Sequence, residues 1–264
     1  MDDNNLTGII PAAGLAKRLS PIPCSKELLP VGLDEHHKRL NILSEHLIEG
    51  FRQGDIKKAF FIVREGKWDI PQYYQNGAGH GIHLGYLFRA IPYGVPYTLY
   101  EALNFVADDP VAMGFPDIIF KPLDAYAHLR KAFNKEKPDL MIGLFPVKDK
   151  SQWDMVEVDE KGKITNIQIK PKNSSLQYAW CIAIWNSFFS SHLKESVLNR
   201  LKTEPYGRIE DPPGNYRELI FSDIIKSAIG EGLNVKGLAF QQGFCLDAGS
   251  YPNLFQLLRK QNSP

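Results

Sequence analysis

The sequence predicts an α/β fold in which a mostly parallel sheet carries helices on both faces. Two observations predict it. Short apolar runs alternate with longer stretches of helical spacing through the first half of the chain, and such alternation is typical of parallel sheets. The second half adds several short β-rich segments close together. Ligands of such sheets lie beyond the carboxyl ends of the strands, so the loops after the strands are candidate sites.

The first predicted strand is Gly8–Ile10, an apolar run that enters a loop of small residues. Asn41–Arg52 is predicted as a helix because its apolar side chains lie close to helical spacing. Further strands are predicted at Ile56–Val63, His83–Arg89 and Val111–Met113, with a helix at Tyr97–Ala107. This order gives the strand–helix alternation of the first half.

The second half is predicted to be richer in strands. These are Asp139–Pro146, Met155–Val158, Lys163–Lys170 and Tyr178–Trp185, with a turn at Asp159–Gly162. Helices are predicted at Ser187–Leu201, Ser222–Glu231 and Tyr251–Arg259, and an exposed loop at Thr203–Tyr216, which is rich in proline, glycine and charge. No segment reads as a linker, so residues 1–264 are predicted to form one domain.

Composition and charge exclude several classes of function. The 31 lysines and arginines nearly cancel the 30 aspartates and glutamates, leaving a formal charge of +1. We therefore expect no nucleic-acid partner and no membrane partner. Cys24, Cys181 and Cys245 are far apart and lack metal-ligand spacing, which indicates neither a disulfide framework nor a zinc site. Reduced thiols and a polar N-terminus favour a cytoplasmic location.

The loop after the first strand has the composition of a polyphosphate site. Small residues (Ala12, Ala13, Gly14, Ala16) precede the cations Lys17 and Arg18, and Lys26 follows eight residues after Arg18. Small side chains let an anion approach backbone N–H groups, and the cations neutralise it. The loop matches neither the Walker pattern nor GxGxxG. From these residues alone, an ordinary strand–helix turn with solvated charges remains an alternative.

The segments IIPAAGLAKRL and SKELLPV resemble the signature of the sugar-phosphate nucleotidylyltransferases, which include glucose-1-phosphate thymidylyl- and uridylyltransferases. The resemblance implies a Rossmann-like three-layer sandwich of the nucleotide-diphospho-sugar transferase type. Its nucleotide-binding half would be residues 1–125 and its sugar-phosphate-binding half residues 126–264. It also implies that Ala12, Ala13 and Gly14 bind the nucleotide, that Arg18 clamps its phosphates and that Lys26 contacts them during transfer.

Four further elements occur in the order found in that family. PYGVPYTLYEAL resembles the element whose glycine contacts the nucleobase, which implies that role for Gly94, and AMGFPDIIF resembles the element that presents a metal-binding aspartate, here Asp117. NIQIKPKN resembles a Glu-Lys-Pro element whose lysine, here Lys170, holds the sugar phosphate. GFCLDAGSY resembles the element that supplies a second metal-binding aspartate, here Asp247. The resemblance implies that the two aspartates hold Mg²⁺, which prefers few protein oxygens together with phosphate oxygens.

The departures from the family pattern fall on the residues that choose substrates. Arg89 lies near the position where many family members have a glutamine that reads the base, so it is a candidate nucleotide contact. Because arginine has only hydrogen-bond donors, this residue does not decide whether the nucleotide is dTTP, UTP or CTP. Ile169 replaces a glutamate that bonds sugar hydroxyls, and Asp154, beside Trp153, replaces a glycine. Trp153, Asp154, Ile169 and Lys170 are therefore the candidate sugar-binding residues. We expect a non-glucose or modified sugar phosphate, or another phosphorylated alcohol.

The resemblance implies an enzyme that transfers a nucleotidyl group from an NTP, with dTTP or UTP favoured, to a sugar 1-phosphate. Pyrophosphate would leave, and Arg18, Lys26 and Lys170 would be the catalytic residues. Family members are often dimers or tetramers, an assembly that the sequence does not test. One alternative is a catalytically silent regulatory protein that binds nucleotides or nucleotide-sugars. A related glycosyltransferase is less favoured, because Gly-Phe-Pro-Asp lacks the first carboxylate of Asp-x-Asp.

Overall fold

A computed structural model describes residues 6–34, 38–89, 94–106, 108–203 and 218–261. Its strands are β1 (Thr7–Pro11), β2 (Pro30–Asp34), β3 (Arg39–Ile42), β4 (Lys58–Val63), β5 (His83–Phe88), β6 (Val111–Gly114), β7 (Ile118–Lys121), β8 (Leu140–Pro146), β9 (Met155–Val158), β10 (Ile164–Gln168), β11 (Tyr178–Trp185), β12 (Val235–Ala239) and β13 (Phe244–Asp247). Its helices are α1 (Glu45–Gln53), α2 (Asp69–Tyr74), α3 (Val95–Val106), α4 (Ala125–Glu136), α5 (Ser187–Thr203), α6 (Phe221–Gly230) and α7 (Tyr251–Gln261).

The central sheet joins strands from both halves of the chain. Among the described residues it has nine strands, in the order β10-β9-β11-β6-β1-β4-β5, with β8 and β12 attached through β11. β1 pairs in parallel with β4 and β6, and β4 pairs in parallel with β5. β11 is antiparallel to β6, β8 and β9. The sheet is thus parallel in the first half and mixed in the second.

Helices cover both faces of this sheet because neighbouring strand residues point to opposite sides. Ile9 packs in a buried cluster with side chains of α3, α5 and α6, whereas Ile10 packs in a second cluster with side chains of α1, α2 and α4. The predicted α/β three-layer fold is confirmed. Among the described helices, none is long and apolar enough to cross a membrane.

A small antiparallel pair of strands, β7 and β13, brings distant parts of the chain together at the end of β6. In their register Asp247, the last residue of β13, lies opposite Ile118, the first residue of β7. The N–H of Ala248 donates to the carbonyl of Asp117, with 2.9 Å between nitrogen and oxygen. Two aspartates separated by about half of the chain are therefore neighbours, beside the carboxyl ends of β1 and β6.

The structure agrees with most predicted elements and corrects one boundary in particular. Met155–Val158 and Tyr178–Trp185 are strands with the predicted limits. The predicted helix Asn41–Arg52 begins only at Glu45, because Asn41 and Ile42 belong to β3 and pair with β2. The predicted loop Thr203–Tyr216 lies, apart from Thr203, outside the described residues.

Candidate functional site

The small-residue loop follows β1 at the centre of the sheet. The N–H of Ala12 donates to the carbonyl of Ile62 at 2.8 Å, which continues the β1–β4 pairing beyond the strand. Ala12 and Ala13 are buried, and Ala13 and Gly14 line a cavity of about 470 Å³. A Cβ placed on Gly14 would lie 4.0 Å from Nζ of Lys26. The lysine ammonium thus lies against the small-residue loop.

Lys26 begins a 3-10 helical turn, Lys26–Leu28, that is fixed from beneath by a buried ion pair. The next residue, Glu27, has both carboxylate oxygens 2.7 Å from Nζ of Lys67, and both side chains are almost wholly buried. The Glu27 carbonyl accepts hydrogen bonds from the N–H and the hydroxyl of Ser44. These contacts hold the backbone of the turn that presents Lys26.

Two cations and two carboxylates meet beside this turn. Nζ of Lys26 donates to Oδ2 of Asp117 at 2.5 Å, and Nη2 of Arg18 donates to Oδ2 of Asp247 at 3.1 Å. The side chain of Arg18 is 61% exposed, whereas that of Lys26 is only 17% exposed. The structure therefore brings Arg18, Lys26, Asp117 and Asp247 together as the sequence predicts.

The Lys26–Asp117 pair keeps both groups charged. Burial by itself would raise the pKa of Asp117, but the Lys26 ammonium and its hydrogen bond outweigh burial and hold that pKa below the usual range. Burial would likewise lower the pKa of Lys26, and the charges of Asp117 and Glu27 raise it instead. An ionised carboxylate here is a competent ligand for a hard cation.

Gly249 lies among these charged groups, where no side chain could fit without displacing them. Its N–H donates to Oδ1 of Asp247 at 2.7 Å. A Cβ at this position would stand 2.7 Å from Oδ1 of Asp247, and 3.0 Å from both Nη2 of Arg18 and Oδ2 of Asp117. Both carboxylates thus surround one small space.

The donor set of this space fits Mg²⁺. Magnesium is commonly held by one or two carboxylates, with water and substrate phosphates completing its shell. Asp117 and Asp247 supply two such carboxylates. Within the described residues, no group of three or more His, Cys, Asp or Glu side chains could hold a metal by itself, so phosphate oxygens and water would have to complete the shell.

The same cavity is lined by the candidate sugar-binding residues. Trp153, Asp154, Ile169 and Lys170 all line it, together with Trp180 and Phe221. Lys170 follows β10 in a left-handed backbone conformation, with φ of +40°. The lining of the cavity therefore combines the charged groups beside the small-residue loop with aromatic side chains, Asp154 and Lys170.

Asp154 is held by a hydrogen-bonded chain of side chains. The indole N–H of Trp180 donates to the Ser222 hydroxyl at 3.0 Å, and that hydroxyl donates to Oδ2 of Asp154 at 2.6 Å. Oδ1 of Asp154 is buried and has no hydrogen-bond partner. Burial raises the pKa of Asp154, against the opposing effects of Ser222 and Lys170.

The two residues expected at the nucleobase lie in different environments. Gly94 lines the cavity with φ of +124°, and a Cβ there would stand 2.0 Å from the Leu219 carbonyl oxygen, so only glycine fits. Arg89 does not line this cavity. Its buried guanidinium donates to the Tyr97 carbonyl at 2.7 Å and to the Glu101 carboxylate. The structure thus places Arg89 beneath α3 rather than with the other candidates.

Sequence reasoning missed several residues that shape the site. Lys67 and Ser222 carry no motif, and only the fold shows that they support Lys26 and Asp154. Gly249 lies inside the GFCLDAGSY element, where a glycine two residues after a candidate metal ligand, Asp247, is a usable signal. The aromatic residues Trp180 and Phe221 resemble ordinary core residues in the sequence.

Comparisons with known proteins show the family of this chain. A family model described as nucleotidyl transferase matches residues 7–260. The low-salt glycan biosynthesis nucleotidyltransferase Agl11 of Haloferax volcanii is 25% identical over 169 residues, 63% of this chain and 45% of that protein. A glucose-1-phosphate thymidylyltransferase of Xanthomonas campestris pv. campestris is 27% identical over 234 residues, 85% of this chain and 73% of that protein.

A solved structure shows the same fold across nearly the whole chain. It is described as a glucose-1-phosphate thymidylyltransferase from Bacillus anthracis in complex with sucrose. It superposes with a TM-score of 0.78 at 24% identity and covers 98% of this chain and 96% of that chain. The central mixed sheet and its flanking helices are therefore those of the predicted fold type.

Proposed function

Because the chain belongs to the nucleotidyl transferase family, we propose that it transfers a nucleotidyl group from an NTP to a phosphate monoester. An oxygen of the acceptor phosphate forms a bond to the α-phosphorus, and the bond from that phosphorus to the bridging oxygen of pyrophosphate breaks. The products are a nucleoside diphosphate ester and pyrophosphate. Such chemistry requires positioning and charge neutralisation more than covalent catalysis by the protein.

The observation that carries this proposal is the meeting of two cations and two carboxylates beside the small-residue loop. Arg18 and Lys26 each form an ion pair with a carboxylate, and the phosphate oxygens of a nucleotide would compete for the same two cations. Asp117 and Asp247 would hold Mg²⁺. The bound metal would supply further neutralisation of the triphosphate charge.

Lys170 would hold the acceptor phosphate at the far end of the cavity. No general base is required, because a phosphate monoester is already ionised near neutral pH. The protein's task is then to overcome repulsion between two anions, and its cations at both ends of the cavity serve that task. The buried Glu27–Lys67 pair keeps Lys26 in place for this role.

For the substrates, we propose a pyrimidine NTP, with dTTP or UTP favoured, and a sugar phosphate or related phosphorylated alcohol. A glucose-1-phosphate thymidylyltransferase among the relatives supports this choice. Ile169 offers no hydrogen bond at the position where the family pattern has a glutamate. We therefore expect glucose 1-phosphate to be a poorer acceptor than in those relatives.

Pyrophosphate release from each NTP, measured with Mg²⁺ and a panel of phosphate monoesters, tests the proposal. Release is expected with at least one combination, and Lys26→Met should reduce it by about 100-fold because a charged contact to the phosphates is lost. Lys131→Met, which removes an exposed lysine of α4, is the matched control and should keep full activity. NTP binding without pyrophosphate release from any combination would instead indicate a silent nucleotide-binding protein.

A further inference from the structure

Asp154 marks a subsite for a cation at the acceptor end of the cavity. We propose that the acceptor is a phosphate monoester whose organic part carries a positively charged nitrogen, and that Asp154 binds this nitrogen. The inference rests on the proposed function, because it assigns the second substrate of that reaction. Its first support is geometric, since Asp154 lines the cavity and its Oδ1 is buried without a partner.

An unpartnered carboxylate oxygen in the interior is costly until a donor reaches it. Ser222 satisfies one oxygen of Asp154 at 2.6 Å, and the Ser222 hydroxyl is itself held by the indole of Trp180. Asp154 as a whole is only partly buried and lines the cavity, and a carboxylate oxygen has two lone pairs, so Oδ2 can accept from a ligand while it holds the Ser222 hydroxyl. The protein thus orients the carboxylate without using all of its hydrogen-bonding capacity.

The charges around Asp154 favour a cation over a neutral donor. Lys170 lowers the pKa of Asp154, so its ammonium compensates the carboxylate in the absence of substrate, whereas Asp223 acts in the opposite direction. In the proposed reaction Lys170 is engaged by the acceptor phosphate. A buried carboxylate then needs a new cation, and an acceptor with both a phosphate and an ammonium group satisfies both residues.

The walls of this end suit an ammonium group as well. Trp180 and Phe221 line the cavity with their ring centroids 5.4 Å apart, and Trp153 lies beside Asp154 in the chain. Aromatic faces attract ammonium and methylammonium groups. Ile169 adds an apolar surface in place of a hydroxyl-binding glutamate. A densely hydroxylated sugar would find few partners at these residues.

Two matched pairs of acceptors test the inference with the intact protein. One pair is phosphoethanolamine and propyl phosphate, and the other is glucosamine 1-phosphate and glucose 1-phosphate. Pyrophosphate release with Mg²⁺ and the best NTP gives kcat/KM for each. In each pair that the protein turns over, kcat/KM of the ammonium member is expected to exceed that of the neutral member by at least about 10-fold. A factor of this size corresponds to one buried charge-assisted hydrogen bond.

Asp154→Asn should abolish this preference by lowering kcat/KM for the ammonium member far more than for the neutral member, because the amide retains the shape but not the charge. Glu160→Gln, in the exposed turn after β9, is the control and should leave the preference unchanged. The inference is overturned if kcat/KM of the unmodified protein is equal or higher for the neutral member. It is also overturned if pyrophosphate is released only with some other ester that carries no positive charge. Absence of pyrophosphate release with every NTP and ester overturns the proposed function itself.

Discussion

Gly249→Ala tests whether the space between the two carboxylates is functional. The φ angle of Gly249 lies outside the left-handed region, so alanine is compatible with its backbone. The new Cβ would nevertheless stand 2.7 Å from Oδ1 of Asp247, closer than real Cβ contacts, and 3.0 Å from atoms of Arg18 and Asp117. The change therefore acts on the charged groups and not on the chain conformation.

The size of the effect follows from the contact that must give way. Oδ1 of Asp247 has to leave the Gly249 N–H, from which it accepts a hydrogen bond of 2.7 Å. Hydrogen bonds to charged groups contribute about 1.5–3 kcal/mol, which corresponds to roughly 10- to 150-fold in rate. Alanine also lowers the conformational entropy of the unfolded chain relative to glycine, which raises the free energy of unfolding by about 0.4–1 kcal/mol. The free energy of unfolding should therefore fall by about 0.5–2.6 kcal/mol, too little to unfold a typical domain.

Pyrophosphate release and urea unfolding, measured on the same preparation, separate these effects. We expect kcat/KM to fall by roughly 10- to 150-fold while the free energy of unfolding falls by no more than about 2.6 kcal/mol, so that the protein stays folded in the assay. Gly79→Ala is the matched control, because nothing lies within 4 Å of a Cβ there, and it should keep full activity. Unchanged kcat/KM in Gly249→Ala would refute the assignment of this space to the reaction.

Three further predictions concern the groups that support the site. Lys67→Met leaves the buried Glu27 carboxylate without its cation, so the free energy of unfolding measured in urea should fall by about 3–5 kcal/mol. The double variant Lys67→Met/Glu27→Gln should recover part of this loss, because the buried charge is removed as well. Arg89→Met should lower the melting temperature and leave the order of preference among NTPs unchanged, since the guanidinium bonds to the protein. The pKa of Asp117 lies below its ordinary 3.8 and that of Lys26 above its ordinary 10.5. The Lys26–Asp117 ion pair should therefore stabilise the fold fully between pH 3.8 and pH 10.5. Its contribution should be lost as pH falls through the folded-state pKa of Asp117 or rises through that of Lys26. Urea unfolding of the unmodified protein and of Asp117→Asn, measured across pH, checks this.

The sequence was sufficient to predict the fold wherever the apolar pattern was strong. β11 is buried along nearly its whole length, and its limits match the prediction. The sequence pattern predicts a helix at Asn41 and Ile42, because the apolar spacing of α1 continues through Ile42. Only their pairing with β2 makes these two residues part of a strand. α4 was missed although Ala125, Leu129 and Phe133 follow helical spacing and are buried. Short strands such as β13 owe their conformation to a distant partner, which the local pattern does not contain.

The candidate site was predictable where a motif carries charge. Arg18, Lys26, Asp117 and Asp247 converge because β1, β6 and the β7–β13 pair end at one place. Arg89 could not be placed from sequence, because its position in the motif does not reveal the Tyr97 and Glu101 contacts that bury it. The sequence does not predict a role for Ser222, because that role depends on a tertiary contact with Asp154.

Metal-dependent nucleotide binding tests the central claim most directly. Titration calorimetry of the favoured NTP, with and without Mg²⁺, should show tight binding to the unmodified protein only when the metal is present. Asp117→Asn/Asp247→Asn should lose the dependence on Mg²⁺, because the two carboxylates that would hold the metal are gone. An equal dependence on Mg²⁺ in this double variant would contradict the account.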